Sequence, residues 1–257
     1  MLNTYQPALD LLQNRIILVT GASSGIGRTA AKTFATYGAT VILLARSVPK
    51  LETLYDEIVT AGFPTPAIYP LNLATATFQD YQDLKTNIQD KLGALDGLLH
   101  NAGELRTLTP IEHYPLEQWL QIMQTNLTSA FLLTQAALPL LKKSKDASIV
   151  FTSAPEGEQG KAYWGAYGVS KFGLQGLMQT LSKELETNTN IRVNSINPVK
   201  VRTRLRMNAY PAENSEALVL PQEIMSTYLY LMGKDSQGIQ GQTLRALALN
   251  TSPLSFF

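Results

Sequence analysis

Three features of this sequence predict an α/β fold: one doubly wound parallel sheet with helices on both faces. Short β-branched runs alternate with amphipathic stretches of helical length, several runs are apolar without interruption, and a glycine-rich turn follows the first. "RIILVT" (15–20), "ATVILL" (39–44), "PAIYPL" (66–71), "DGLLH" (96–100), "ASIVFT" (147–152) and "IRVNSI" (191–196) read as strands. A continuously apolar strand is one buried on both faces, which happens when helices cover a parallel sheet from both sides. Stretches 25–37, 49–61, 77–92, 115–141 and 163–187 read as the connecting helices. "LPQEIMSTYLYLMG" predicts one more helix, followed by a strand near "QTLRALAL". No repeat, low-complexity tract or linker interrupts this order, so residues 1–257 read as a single domain.

The chain is 45% hydrophobic and 16% charged, which supplies a substantial core. Its 21 basic and 20 acidic residues are scattered, with no block of one sign, so nothing marks a nucleic-acid or anionic-membrane surface. Zero cysteines exclude disulfides, thiolate catalysis and zinc–thiolate sites. His100 and His113 stand without carboxylates at ligand spacing, so no catalytic metal is expected. "MLNTYQPALDLLQNR" lacks the pattern of a secretory signal, and "SAFLLTQAALPLL" is too short to span a bilayer. A soluble cytoplasmic protein is the expectation.

The first strand runs into "TGASSGIGRTAAKTF". Gly21, Gly25 and Gly27 let the chain turn sharply and a ligand approach the backbone. The helix that follows presents free N–H groups and a positive dipole end, suited to a pyrophosphate. By letters alone, Gly25 to Ala30 satisfies the G-x-G-x-x-A dinucleotide fingerprint, but Gly21 already occupies the strand end. The better description is T-G-x-x-x-G-x-G, a longer turn that offers Gly21, Ser23, Ser24, Gly25, Ile26 and Gly27 to a cofactor. A glycine-rich loop can be a mere tight turn; its place after the first strand of a βα series favours the Rossmann-type reading. Strand two ends "VILLARS", with Ala45 where an NAD-binding fold carries an acid and Arg46 next to it. The planar fork of an arginine can pair with a 2′-phosphate, which points to NADP rather than NAD. The other reading of Arg46 is an ordinary solvated arginine.

Tyr-x-x-x-Lys occurs three times, at Tyr81/Lys85, Tyr167/Lys171 and Tyr230/Lys234. At this spacing both side chains share a helix face, so any of the pairs can be a simple surface contact. Only Tyr167 falls on the helix after strand five, near the sheet edge where such folds bind ligands. A phenol near pKa 10 is a poor acid–base catalyst at neutrality, and an adjacent ammonium with a cationic cofactor would lower it.

Taken in order, Thr20-Gly21 through Gly27, "HNAG" at 100–103, Asn126 in "MQTNLTSAF", Tyr167/Lys171, and Pro198 with Thr203 in "INPVKVRT" resemble the short-chain dehydrogenase/reductase family over nearly the full chain. Within that family, "RIILVTGASSGIG", "WGAYGVSKFG" and "LYLMG" resemble a branch of bacterial oxidoreductases. The resemblance implies that Tyr167 moves a proton to or from the substrate oxygen while hydride passes at nicotinamide C4. It implies that Lys171 holds the nicotinamide ribose and that Asn126 anchors a water relayed to Lys171. Asn101, Ala102 and Gly103 would line the adenosine side, Asn72 and Leu73 the adenine, and Pro198 to Thr203 the nicotinamide. Helices 115–141 and 163–187 would build homodimer or homotetramer faces.

The sequence also departs from the family. The family's catalytic serine stands thirteen residues before the tyrosine and three before a glycine; here Gly157 sets that register and the position holds Ala154. Ser153 lies one residue early, where an extended chain turns it the other way, so it either takes the role or merely bonds nearby backbone. Asn72 replaces a frequent aspartate and Val199 a usual glycine, and "GQTLRALALN" lacks the usual acidic-glycine ending. Residues 202–221 read as a substrate lid, with Leu205, Met207 and Tyr210 suggesting an apolar carbonyl or alcohol substrate. Two readings stand: an NADP-dependent oxidoreductase, or an NADP-binding sensor or assembly protein with little turnover.

Overall fold

The computed structural model of the chain describes residues 5–246. Seven parallel strands form one sheet: β1 (Ile16–Thr20), β2 (Thr40–Ala45), β3 (Ala67–Pro70), β4 (Gly97–His100), β5 (Ala147–Thr152), β6 (Ile191–Asn197) and β7 (Thr243–Arg245). Their order is β3-β2-β1-β4-β5-β6-β7, which reverses direction between β1 and β4. This Rossmann-type topology leaves a crevice at the reversal, beyond the strands' carboxyl ends. The strand expected near "QTLRALAL" is β7, and its residues past Ala246 lie outside the described range.

The apolar strands divide their side chains between two cores. Ile17, Val19, Val41 and Leu43 pack on one face with α1 (Gly25–Thr36), α2 (Val48–Thr60) and α8 (Met225–Met232). Leu18, Ile42, Leu44 and Phe151 pack on the other with α3 (Phe78–Leu92), α5 (Ser129–Leu141) and α6 (Gly165–Leu185). Strict alternation explains why the runs show no polar break.

Two predicted helices differ in detail. The stretch 115–141 is interrupted: α4 (Leu116–Met123) passes through a π-helical turn (Gln124–Thr128) into α5. Asn126 pins that turn by bonds to the Glu104 backbone and Ser170, and Ser129 Oγ donates back to Thr125 O at 2.6 Å. The α6 helix starts at Gly165 rather than 163, because Tyr163 takes a left-handed φ of 73° and the chain reverses there. A Cβ at Gly165 would lie 2.2 Å from the Tyr114 ring, so no other residue fits the entry to this helix.

The edge where the strands begin is tied by charge. Asp146, just before β5, accepts from Arg15 at 2.8 Å and from Arg192. Asp96, just before β4, accepts from the Ile16 N–H at 2.9 Å and from Ser144 Oγ at 2.6 Å.

Candidate active site

The carboxyl ends of the strands open onto a cavity of about 310 Å³. Thr20 organises its floor: its Oγ1 accepts from the Asn101 and Ala102 N–H groups, each at 3.0 Å, and donates to Leu99 O at 3.2 Å. The ends of β1 and β4 are thereby locked together at the reversal point. Gly21, Ser23, Ser24, Gly25 and Ile26 border the cavity where α1 begins, and the first turn of α1 carries no acid to repel an anion. Gly27 does not border it. A Cβ on Gly27 would stand 2.4 Å from Asn101 Nδ2 and 2.5 Å from Gly21 O, so this glycine lets the turn close on itself.

Arg46, at the end of β2, is exposed, borders the cavity and makes no salt bridge among the described residues. Asn72 and Leu73 border the same side, with Asn72 Oδ1 accepting from Ala74 N at 3.3 Å. Asn101, Ala102 and Gly103 follow β4, and Pro198, Val199 and Thr203 follow β6. Val199 stands where a glycine was expected and adopts φ 56°, a costly conformation for a β-branched residue. The Asn197 side chain holds it there by accepting from Val199 N at 3.1 Å.

Tyr167 and Lys171 sit one turn apart on α6 and both border the cavity. Lys171 Nζ donates to Thr152 O at 2.8 Å and lies 5.6 Å from the centroid of the Tyr167 ring. Burial lowers the Lys171 ammonium to about 8, partly opposed by the Glu156 carboxylate. The Tyr167 phenol is pushed up, not down as its neighbour suggests: burial acts first, then Glu156 and Tyr210, against a smaller opposite effect of Arg206. The other two pairs lie away from this cavity. Tyr81 is a core residue, not the surface contact its spacing suggests, and Tyr230 packs edge-on against Tyr5 with centroids 5.3 Å apart.

Asn126 is buried behind the pair. Its Oδ1 accepts from Glu104 N at 2.8 Å and its Nδ2 donates to Glu104 O at 3.0 Å and Ser170 Oγ at 3.1 Å. Ala154 packs against Trp164, Tyr167 and Ala209, on the side where the phenol lies. Ser153 also borders the cavity. Its hydroxyl is buried without a hydrogen-bond partner, and a Cβ at Gly157 would come within 3.0 Å of it. The hydroxyl bonds no backbone group among the described residues, so the expected backbone contact is not made.

The segment after β6 folds over the cavity through α7 (Arg204–Ala209), held by a parallel bridge between Val201 and Val219 and by a bidentate Arg206–Glu213 pair. Leu205 borders the cavity, but Met207 is exposed and Tyr210 packs at a tilt against Trp164 instead. Lys161 bonds the Tyr210 hydroxyl and lies over both the Trp164 and Tyr210 rings, at 5.0 and 4.7 Å. Sequence reasoning missed this latch, and it missed Glu156, a buried carboxylate beside Tyr167. The available signal was Pro155, which opens a tight turn (Pro155–Gly157) that carries Glu156 inward.

Residues 15–214 match the family model described as short chain dehydrogenase. The chain belongs to the short-chain dehydrogenase family. This short-chain dehydrogenase is 48% identical over 242 residues to the uncharacterized oxidoreductase YciK of Escherichia coli K12, covering 94% of this chain and 95% of that one. The branch of bacterial oxidoreductases indicated by its motifs is therefore the YciK-like one. Among solved structures, a short chain dehydrogenase of Salmonella enterica serovar Typhi superposes with a TM-score of 0.92 at 48% identity, covering 94% and 99% of the two chains. A relative from Escherichia coli CFT073, also 48% identical, superposes with a TM-score of 0.90 over 93% and 99% of the chains, and that structure is a complex with NADPH. Among the described residues, no helix of this dehydrogenase is long and apolar enough to cross a membrane.

Proposed function

We propose that this short-chain dehydrogenase uses NADP to interconvert a carbonyl and an alcohol, with Tyr167 as the acid–base group. One observation carries the reading: the glycine turn, an unpaired Arg46 and the Tyr167/Lys171 pair all border one cavity at the sheet's reversal point. NADP, when bound, supplies or accepts the hydride. The chain's residues fit such a group: the Gly21–Ile26 turn and the start of α1 suit its pyrophosphate, and Arg46 suits the 2′-phosphate. Asn72, Leu73 and Asn101 to Gly103 form the adenosine side, while Pro198 and Thr203 border the nicotinamide side. The NADPH complex of the Escherichia coli relative supports this choice of cofactor.

Tyr167 gives its phenolic proton to the substrate oxygen in reduction and recovers it in oxidation. Lys171, lowered to about 8, can yield its own proton to refill the phenol near neutral pH. Ala154 withdraws the second donor, which in comparable sites removes about 10²–10³ in rate. Residues 202–221 act as the lid, with Leu205 and Ala209 on its inner side. Exposed Phe131, Val169 and Phe172 on α5 and α6 support a homodimer or homotetramer.

The test is NADPH oxidation with a panel of aldehydes and ketones. Tyr167→Phe is expected to lower kcat by at least about 10², and Arg46→Ala to erase a preference for NADPH over NADH. Unchanged turnover in Tyr167→Phe overturns the assigned acid; equal affinity for both cofactors overturns the 2′-phosphate site.

A further inference from the structure

We propose that Glu156 is a specificity-determining residue: it selects substrates that present a hydrogen-bond donor, a hydroxyl or ammonium group, beside the reacting carbonyl. The inference rests on the carbonyl-reductase reading of the site and names its substrate class. Glu156 follows Ala154 and Pro155 on the turn that closes the end of β5, and it borders the same cavity as Tyr167. Its side chain is only 8% exposed, yet it accepts no hydrogen bond from any described residue. The nearest cation is Lys161 Nζ at 3.8 Å, beyond hydrogen-bond reach, and that ammonium already bonds the Tyr210 hydroxyl and lies over two aromatic rings. Arg206 is likewise committed, in a bidentate pair with Glu213 at 2.7 Å for both bonds.

The Glu156 oxygens are not among the enclosed unpartnered polar atoms but open onto the cavity, so an occupant that covers them without supplying a donor leaves the carboxylate unpaired at a cost. Here the open side is the cavity, so the missing donor belongs to the occupant. The neighbouring wall is largely apolar, with Ala154, Trp164 and Ala209 packed together. A substrate whose carbonyl oxygen meets Tyr167 would therefore place its adjacent substituent against Glu156. A site built to bond a donor rejects the analogue that lacks it, because the carboxylate is then left unpaired. The redox step is unaltered: hydride from NADPH joins the carbonyl carbon, the Tyr167 proton joins its oxygen, and the donor group is unchanged.

Three ketones of matched size test this: butanone, hydroxyacetone and aminoacetone. The wild-type protein with NADPH is expected to favour the two donor-bearing ketones over butanone by about tenfold or more in kcat/KM. Glu156→Leu should abolish that preference, with butanone equal or better. Glu156→Gln, which keeps the shape and an accepting oxygen, should retain hydroxyacetone and lose aminoacetone. Equal use of all three by the wild type, or an unchanged order in both variants, overturns the inference. If no ketone is turned over, the carbonyl-reductase reading fails on its own. The selectivity is then read from quenching of tryptophan fluorescence in the NADP-loaded Trp119→Phe protein, where Trp164 is the sole reporter and the same order of binding, lost in Glu156→Leu, is required.

Discussion

The two ends of β5 obey opposite rules. Just before the strand, Asp146 takes hydrogen bonds from Arg15 and Arg192, and Arg192 also donates to Ser236 Oγ and Gly233 O. Just after it, Glu156 is buried without a donor, the Ser153 hydroxyl has no partner, and Lys171 and a left-handed Val199 stand close by. The first end spends its polar groups on holding strands together. The second keeps them unmatched and strained where a ligand can use them. One strand therefore joins an anchor to a working edge.

Removing the anchor should have the largest effect. Asp146→Asn leaves the largely buried Arg192 and the partly buried Arg15 without their carboxylate and is expected to lower stability by about 2–3 kcal/mol in urea unfolding. Burial alone would raise the Asp146 carboxyl, but Arg192 and then Arg15 outweigh it and hold it below the usual range. Its contribution is thus complete above the unfolded value of about 3.9 and is lost as pH falls through the folded one. The wild type should lose stability in that acid window more steeply than Asp146→Asn; parallel pH curves would break the contrast between the ends.

Next comes Ala154→Ser, which places a hydroxyl on the side where Tyr167 packs. Turnover is expected to rise about tenfold with little change in cofactor affinity, below the full value of such a donor because Glu156 stays beside it. No rise would mean that the working edge operates without this donor. The smallest effect belongs to Val199→Gly. Relief of φ 56° is worth about 1–2 kcal/mol, and glycine's greater freedom in the unfolded chain offsets part of it, for a net gain of about 1 kcal/mol. A loss of stability there would show that the strain is absorbed elsewhere.

The same contrast explains what the sequence could reveal. Alternation makes strands such as Ile16–Thr20 readable, because each apolar position answers to one of two cores. Tyr167 could be told from Tyr81 and Tyr230 by topology, since only one of three identical spacings reaches the cavity. Gly27 reads like its neighbours because a packing glycine and a ligand-facing glycine are spelled the same way. Glu156 was invisible for a different reason: a lone charge in a turn is ordinarily solvated, and only the fold shows it pointing inward. The π-helical turn at Gln124–Thr128 depends on Asn126 bonding residues 22 and 44 positions away, which no local pattern records.

The central claim is that the working edge keeps groups that cost stability because the chemistry requires them, and Lys171 tests it most directly. Its ammonium is lowered to about 8 by burial, so the wild type should gain stability as pH rises from about 8 towards the free-lysine value of about 10.4. Lys171→Met removes the buried charge. The decisive measurement is the Tm of that variant at pH 7 beside its NADPH oxidation rate. The account predicts a Tm above wild type, by about 1–2 kcal/mol of stability, with turnover lost. A Tm below wild type, or turnover that survives the substitution, would contradict it.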